Sequence, residues 1–195
     1  MTKWGAFAAA WVLLALAACA SPSPRTEFYT LDTEAPAGRG ATSAAPDQPA
    51  VKVSVWQVSV PEMVDRSELV LRTAPNRVQI SDFHRWAEPL RFGIARVLAD
   101  DLALRLGRGF MVVVGQPAGI QPDVRVSFDV QKFEAVPGEG VAVEALWNIR
   151  PARGEARSGR STVSERESSR DYAALVAAYS RALAQVAREV SVAVR

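Results

Sequence analysis

The sequence has little of the chemistry on which most enzymes depend. Among its 195 residues there is one cysteine, Cys19, and one histidine, His84. A single cysteine excludes an internal disulfide and a multi-cysteine metal site, and a single histidine excludes a multi-histidine metal site. The sequence also contains no P-loop and no nucleophile elbow. We therefore expect no catalytic residues, no metal and no cofactor held by the fold.

The sequence also lacks a strong excess of charge of one sign. Lysine and arginine number 23, aspartate and glutamate number 21, and the formal net charge is +2. Without a broad basic surface, we expect no nucleic-acid partner. Apolar residues make up 49% of the chain, which at this length is enough to bury the core of one domain.

The first 18 residues have the layout of a secretory signal peptide. Lys3 precedes a run of roughly a dozen apolar residues. This run is too short to span a bilayer, which takes about 20 apolar residues. The sequence Leu-Ala-Ala-Cys at 16–19 then resembles the bacterial lipobox, in which the cysteine becomes the lipid-bearing first residue of the mature chain. We predict a lipoprotein signal peptide at 1–18 and covalent diacylglycerol and N-acyl lipid on Cys19. An ordinary signal peptide with a chance cysteine, or an uncleaved anchor helix, is the alternative.

The residue after the cysteine bears on the choice of membrane. In the enteric lipoproteins that the lipobox resembles, an aspartate at this position retains the protein in the inner membrane, and here the residue is Ala20. The resemblance therefore implies anchoring in the outer membrane, with the protein facing the periplasm. Because each buried methylene contributes about 0.8 kcal/mol, several acyl chains make such an anchor effectively permanent.

Composition separates a tether from a domain. Residues 33–49 are rich in Ala, Pro, Gly, Ser and Thr and have no apolar period, so they cannot bury enough surface to offset the entropy of ordering. We predict that residues 19–50 are the lipidated N-terminus and a mostly flexible tether, interrupted by a short strand at 28–31. Residues 51–195 then form one periplasmic domain.

The first part of this domain has the pattern of strands. Residues 51–60 alternate between apolar and polar but slip in phase at Val55 and Trp56, which predicts a strand with a bulge. Residues 68–73 and 77–81 flank a Pro-Asn turn and predict a hairpin. His84 is then expected in a strand-to-helix connection.

The remainder predicts two helices around further strands. An apolar stripe starts after Pro89, predicting a helix capped by Gly107, and the continuously apolar residues 110–115 are typical of a buried strand. Three more strands are predicted at 124–130, 141–149 and 157–167, and Asp171 or Ser169 can cap a second helix. We expect an α/β fold, a single compact domain in which a mixed β-sheet is packed with two main α-helices.

Four side chains are candidates for contact with a partner or a lipid. Trp56 and Trp86 could line an apolar groove, and Trp56 is expected to be the more exposed because it sits at the slipped phase. Arg72 and Arg77 flank the hairpin and could meet lipid phosphates or an acidic partner. The alternatives are core packing for the tryptophans and local ion pairs for the arginines.

Several of these motifs together resemble the ABC-type transport auxiliary lipoproteins, the PqiC-like group. The likeness includes the lipobox cysteine, Phe-Tyr-Thr-Leu at 28–31, the valine-rich strand and the hairpin. It is most specific at Arg-Trp-Ala-Glu-Pro-Leu, residues 85–90, and in the helix that follows, and it extends to Asp-Tyr-Ala-Ala-Leu-Val at 171–176.

The resemblance implies a partner as well as a fold. In that family the lipoprotein works with MCE-domain proteins, which form tubes or needles across the periplasm. It implies a non-enzymatic subunit of an MCE-type lipid transport system that docks this assembly at the outer membrane and supports membrane integrity, in one copy or as a homo-oligomeric ring. Two alternatives remain open: a periplasmic lipid-binding carrier and an unrelated envelope enzyme.

Overall fold

The computed structural model describes residues 24–33 and 51–195. The predicted signal peptide, Cys19 and most of the predicted tether lie outside the described residues. In chain order the elements are β1 (Glu27–Tyr29), β2 (Val51–Ser59), β3 (Glu68–Ala74), β4 (Arg77–Trp86), α1 (Leu90–Leu106), β5 (Phe110–Val114), β6 (Val124–Val136), β7 (Gly140–Pro151), β8 (Arg157–Arg166) and α2 (Tyr172–Val194).

The strands of the described residues form two sheets. The larger has the order β5-β2-β6-β7-β8, in which β2 runs parallel to β5 and β6 while β6, β7 and β8 are antiparallel. The smaller has the order β1-β4-β3, with β1 parallel to β4 and β3 antiparallel to it. The predicted α/β class, with mixed strand pairing and two main helices, is confirmed. The strands divide between two sheets, where the sequence pattern led us to expect one.

The core lies between the five-stranded sheet and the two helices. One face of the sheet carries buried side chains that alternate along each strand, such as Val126, Phe128 and Val130 on β6. The apolar stripe predicted for α1 is buried in full: Leu90, Ile94, Val97, Leu98, Leu102 and Leu106. Helix α2 begins after Asp171, whose carboxylate accepts a hydrogen bond from the Ala174 N–H at 3.2 Å. Of the two predicted caps, the structure therefore selects Asp171.

Two local predictions are wrong. His84 does not lie in a strand-to-helix connection, because β4 continues through Trp86 and pairs with β1 at its far end. Strand β5 is not buried, because it forms an edge of the sheet and exposes Met111 and Val114. The predicted bulge in β2 is confirmed, since its register against β6 shifts between Val55 and Gln57.

Candidate functional site

The sheet face that points away from the helices is the candidate site, and we call it the outer face. It is formed by the residues that alternate with the buried ones on β2, β6, β7 and β8. Cross-strand pairing sets Ser127 beside Gln57 on one side and Asn148 on the other. The bulge in β2 places Trp56 next to Gln57 on this same face, and both line one shallow depression. The phase slip read from the sequence therefore has a structural consequence, because it turns a tryptophan outward.

Trp56 is held by a neighbouring arginine. Its side chain is 40% exposed, and the guanidinium carbon of Arg125 lies 4.7 Å from the centroid of its ring. A cation–π contact of this kind contributes about 0.5–1 kcal/mol at an exposed site. The contact fixes the orientation of the indole while leaving part of its surface open to a partner. The predicted exposure of Trp56 is confirmed, and its contact with a partner stays a prediction.

A second arginine lies directly across from the first. Arg125 on β6 and Arg150 on β7 are cross-strand partners and line the same depression as Trp56. Like charges directly opposite each other destabilise an antiparallel pair. Among the described residues neither arginine forms an ion pair within 4.0 Å. Two uncompensated guanidinium groups beside an aromatic ring are suited to a carboxylate or phosphate from another molecule.

The depression continues along the sheet as a surface with both polar and apolar side chains. An open hollow of about 700 Å³ extends from Gln57 and Ser127 to the other edge of the sheet, where it meets Ser158 and Arg160. Hydroxyl, amide and charged side chains line it together with the apolar Phe128, Leu146 and Trp147. Here Arg160 is compensated, because it donates to Glu144 at 2.6 Å. Such a surface can form both hydrogen bonds and apolar contacts with another protein, but it is open to solvent and does not enclose an acyl chain.

The other predicted tryptophan faces inward. Trp86 is only 8% exposed, and its ring centroid lies 6.4 Å from those of Phe133 and Tyr179, which stack on each other at 3.8 Å. Burial raises the pKa of Tyr179. This placement agrees with the packing alternative for Trp86.

Arg72 joins the hairpin to the five-stranded sheet. Its guanidinium donates to the Pro75 carbonyl at 2.7 Å and to the Glu134 carboxylate on β6 at 2.5 Å. The hydrogen bond from Arg72 lowers the pKa of Glu134 and raises that of Arg72. Arg72 therefore forms a local ion pair, which was the alternative to a contact with a partner or a lipid. Arg77 begins β4 on the other side of the turn, and its side chain is exposed.

His84 belongs to an aromatic cluster at the end of the smaller sheet. Its ring stacks on Tyr172 with a centroid distance of 3.7 Å, and its Nδ1 lies 2.8 Å from the Tyr29 hydroxyl. The Tyr29 hydroxyl donates to the Glu27 carboxylate at 2.6 Å, and burial followed by this contact raises the Tyr29 pKa. The cluster joins β1 to β4 and to the start of α2, so its evident role is to fasten the first strand to the domain.

Residues 24–33 and 51–195 contain no group of three or more His, Cys, Asp or Glu side chains that could bind a metal ion. No helix within the same ranges has the length and apolar character needed to cross a membrane.

Part of this site is predictable from the sequence and part is not. Trp56 was found through the slipped phase of its strand. Arg125 and Arg150 were missed because each looks like one ordinary polar position in an alternating strand. Their significance depends on the register that places them opposite each other. No signal within either strand alone indicates that register.

Solved structures support the fold. A crystal structure of an uncharacterized protein is similar with a TM-score of 0.69 and 17% identity, covering 88% of this chain and 99% of that one. A protein of Xanthomonas campestris from the DUF330 family is similar with a TM-score of 0.62 and 22% identity, covering 84% of this chain and 92% of that one. A comparison with curated proteins gave no match.

Sequence comparison identifies the family. The model of the family described as "ABC-type transport auxiliary lipoprotein component" matches residues 29–191, which includes both sheets from Tyr29 onward and nearly all of α2. The match therefore covers the candidate site as well as the core. The chain belongs to the ABC-type transport auxiliary lipoprotein component family.

Proposed function

We propose that this protein is a non-enzymatic docking subunit of an MCE-type envelope lipid transport system. Lipid on Cys19 anchors it in the outer membrane, and the domain faces the periplasm. Its outer face binds the end of a periplasmic MCE-domain assembly, through one copy or through a ring of several copies. The observation that carries the proposal is the pair of uncompensated arginines, Arg125 and Arg150, set beside the exposed Trp56.

The chemistry of this face suits a protein partner. Tryptophan and arginine are the side chains most enriched among residues that dominate binding at protein interfaces. An acidic side chain of the partner placed between the two guanidinium groups would remove their mutual repulsion and form charge-assisted hydrogen bonds. Binding energy would thus arise at a point where two like charges repel each other in the free domain.

The two alternatives find less support. A carrier needs an apolar space of roughly 300–1,000 Å³ for its ligand. The gap between the smaller sheet and the helices, bordered by Leu69, Trp86 and Leu175, has a volume of about 10 Å³, and the larger hollow on the outer face is open to solvent and encloses no ligand-sized space. A histidine base for an enzyme could only be His84, and that ring is packed between Tyr29 and Tyr172 away from the outer face.

Affinity purification from cells tests the proposal. The full-length lipoprotein is cross-linked in its native envelope, extracted in detergent, purified by a C-terminal tag and analysed by quantitative mass spectrometry. We expect an MCE-domain protein in amounts comparable to the lipoprotein. Recovery of the lipoprotein alone, while a control envelope complex is cross-linked in the same sample, would contradict a docking role. Recovery of a different transport component would contradict the MCE assignment.

A further inference from the structure

Three exposed apolar side chains share one face of the three-stranded sheet. Phe28 is 65% exposed, Ile80 43% and Phe83 41%. Phe28 pairs in register with Arg85, and Phe83 precedes Arg85 by two residues on the same strand, so these side chains point the same way. On β3, Val70 pairs with Ile80 and Glu68 pairs with Arg85. Because Val70 and Glu68 are alternate residues of that strand, Ile80 and Arg85 lie on the same face, and the register shift between the two pairs accounts for their odd spacing on β4. We call Phe28, Ile80 and Phe83 the phenyl patch.

The opposite face of β1 explains why Phe28 points outward. Tyr29 and Glu27 lie on that inner face, where the Tyr29 hydroxyl contacts Glu27 at 2.6 Å and His84 at 2.8 Å. His84 in turn stacks on Tyr172 of α2. Because the two neighbours of Phe28 are held inward, alternation along the strand holds Phe28 outward. The fold therefore keeps the ring of Phe28 exposed, because its strand is paired with β4.

The position of Phe28 in the chain brings the patch close to the membrane anchor. Phe28 follows Cys19 by nine residues. A chain of this length spans at most about 32 Å when fully extended. A lipid on Cys19 would therefore hold the patch within this distance of the bilayer, where a high effective concentration makes even weak contacts persist. Phenyl and aliphatic groups gain free energy when they leave water for the membrane interface.

Charge around the patch also suits a membrane. Arg66 and Arg85, 40% and 42% exposed, both lie near the carboxylate of Glu68, at 3.3 Å and 3.7 Å. Two arginines thus share one acid, so these three side chains together carry one net positive charge. Arginine next to aromatic groups is a combination that binds phosphate headgroups while the rings enter the interface.

We propose that the phenyl patch rests on the headgroup region of the same membrane that carries the lipid on Cys19. This inference depends on the lipid anchor of the proposed function and goes beyond it, because it assigns a second contact with the bilayer and hence a fixed orientation of the domain. The acyl chains set the distance of the protein from the membrane, and the patch sets which side faces it.

The chain offers a clean way to test this contact. Cys19 is the only cysteine, and in the lipidated protein its sulfur is a thioether, so one introduced cysteine can be labelled specifically. Full-length lipidated protein carrying Phe83→Cys is labelled with bimane and reconstituted into phosphatidylethanolamine–phosphatidylglycerol vesicles with nitroxide-labelled headgroups. The matched control is Val192→Cys, since Val192 is an apolar residue of α2 that is 72% exposed.

We expect nitroxide quenching to be several-fold stronger at position 83 than at position 192. Adding Phe28→Ser to the labelled Phe83→Cys protein should lower the population with the patch inserted, measured by quenching at position 83, about tenfold while the protein still floats with the vesicles, because one ring leaves the interface and the lipid anchor stays. Equal quenching at the two positions, with the protein floating with the vesicles, would overturn this proposal and leave the anchor intact. A blue-shifted, unquenched label at position 83 would also overturn it, by showing that protein covers the patch. Failure to float would overturn both the anchor and the proposal.

Discussion

Replacing Arg150 with glutamine should make the free domain more stable and its docking weaker. Arg150 lies directly opposite Arg125, and neither arginine has an acidic partner among the described residues. Like charges opposite each other on a sheet cost roughly 0.2–1 kcal/mol. Arg150→Gln removes this repulsion and keeps the contact between Arg125 and Trp56. The free energy of unfolding should therefore rise by about 0.5 kcal/mol, which corresponds to an increase of about 1–2 °C in Tm.

Urea denaturation of the non-lipidated Cys19→Ser chain, followed by circular dichroism, measures this change. The control is Arg160→Gln on the same face, which breaks the 2.6 Å ion pair with Glu144 and should lower the free energy of unfolding by about 0.2–1 kcal/mol. The gain from Arg150→Gln should shrink at about 1 M salt, where the Debye length falls to about 3 Å. Recovery of the partner in cells should fall for Arg150→Gln.

The reasoning would be refuted if Arg150→Gln destabilised the domain, or if its gain in stability were the same at low and high salt. Either result would mean that Arg150 has a structural role within the sheet. An unchanged recovery of the partner would show that the arginine pair is not part of the interface.

Three further predictions concern stability and anchoring. Arg72→Gln should lower the free energy of unfolding at neutral pH, because it removes the contact with Glu134. Since Arg72 lowers the pKa of Glu134, this contribution is present above the unfolded pKa and lost as pH falls through the folded pKa, so urea titrations of wild type and variant should converge toward pH 3. Gly159→Ala should cost about 2–3 kcal/mol in the same assay, since the added Cβ would lie 2.2 Å from Cζ2 of Trp147; a loss under 0.5 kcal/mol would contradict this packing. Cys19→Ser should abolish incorporation of radiolabelled palmitate into the protein in growing cells, and undiminished labelling would argue against the lipid anchor.

Local features of the fold were predictable because they depend on neighbours in the sequence. The hairpin follows from its Pro-Asn turn, the first helix from its apolar stripe, and the bulge from the slip at Val55 and Trp56. Each of these signals lies within about 20 residues and needs no knowledge of the rest of the chain.

What could not be predicted depends on long-range pairing. Strand β5 is apolar enough to be internal, and only the strand order shows that it lies at an edge. The placement of His84 in a strand arises from β1, which lies 55 residues earlier at Tyr29 and pairs with the end of β4. The opposition of Arg125 and Arg150 likewise depends on the register of two strands.

Site-specific photo-cross-linking in cells tests the central claim most directly. A photoreactive amino acid is placed at Gln57 on the outer face of the full-length lipoprotein and, as a control, at the exposed Val192 of α2. If the outer face docks a periplasmic MCE assembly, illumination should give a covalent adduct with an MCE-domain protein from position 57, and Arg150→Gln should weaken that adduct. An adduct from position 192 alone, or none from either position while the protein stays in the membrane, would contradict the claim.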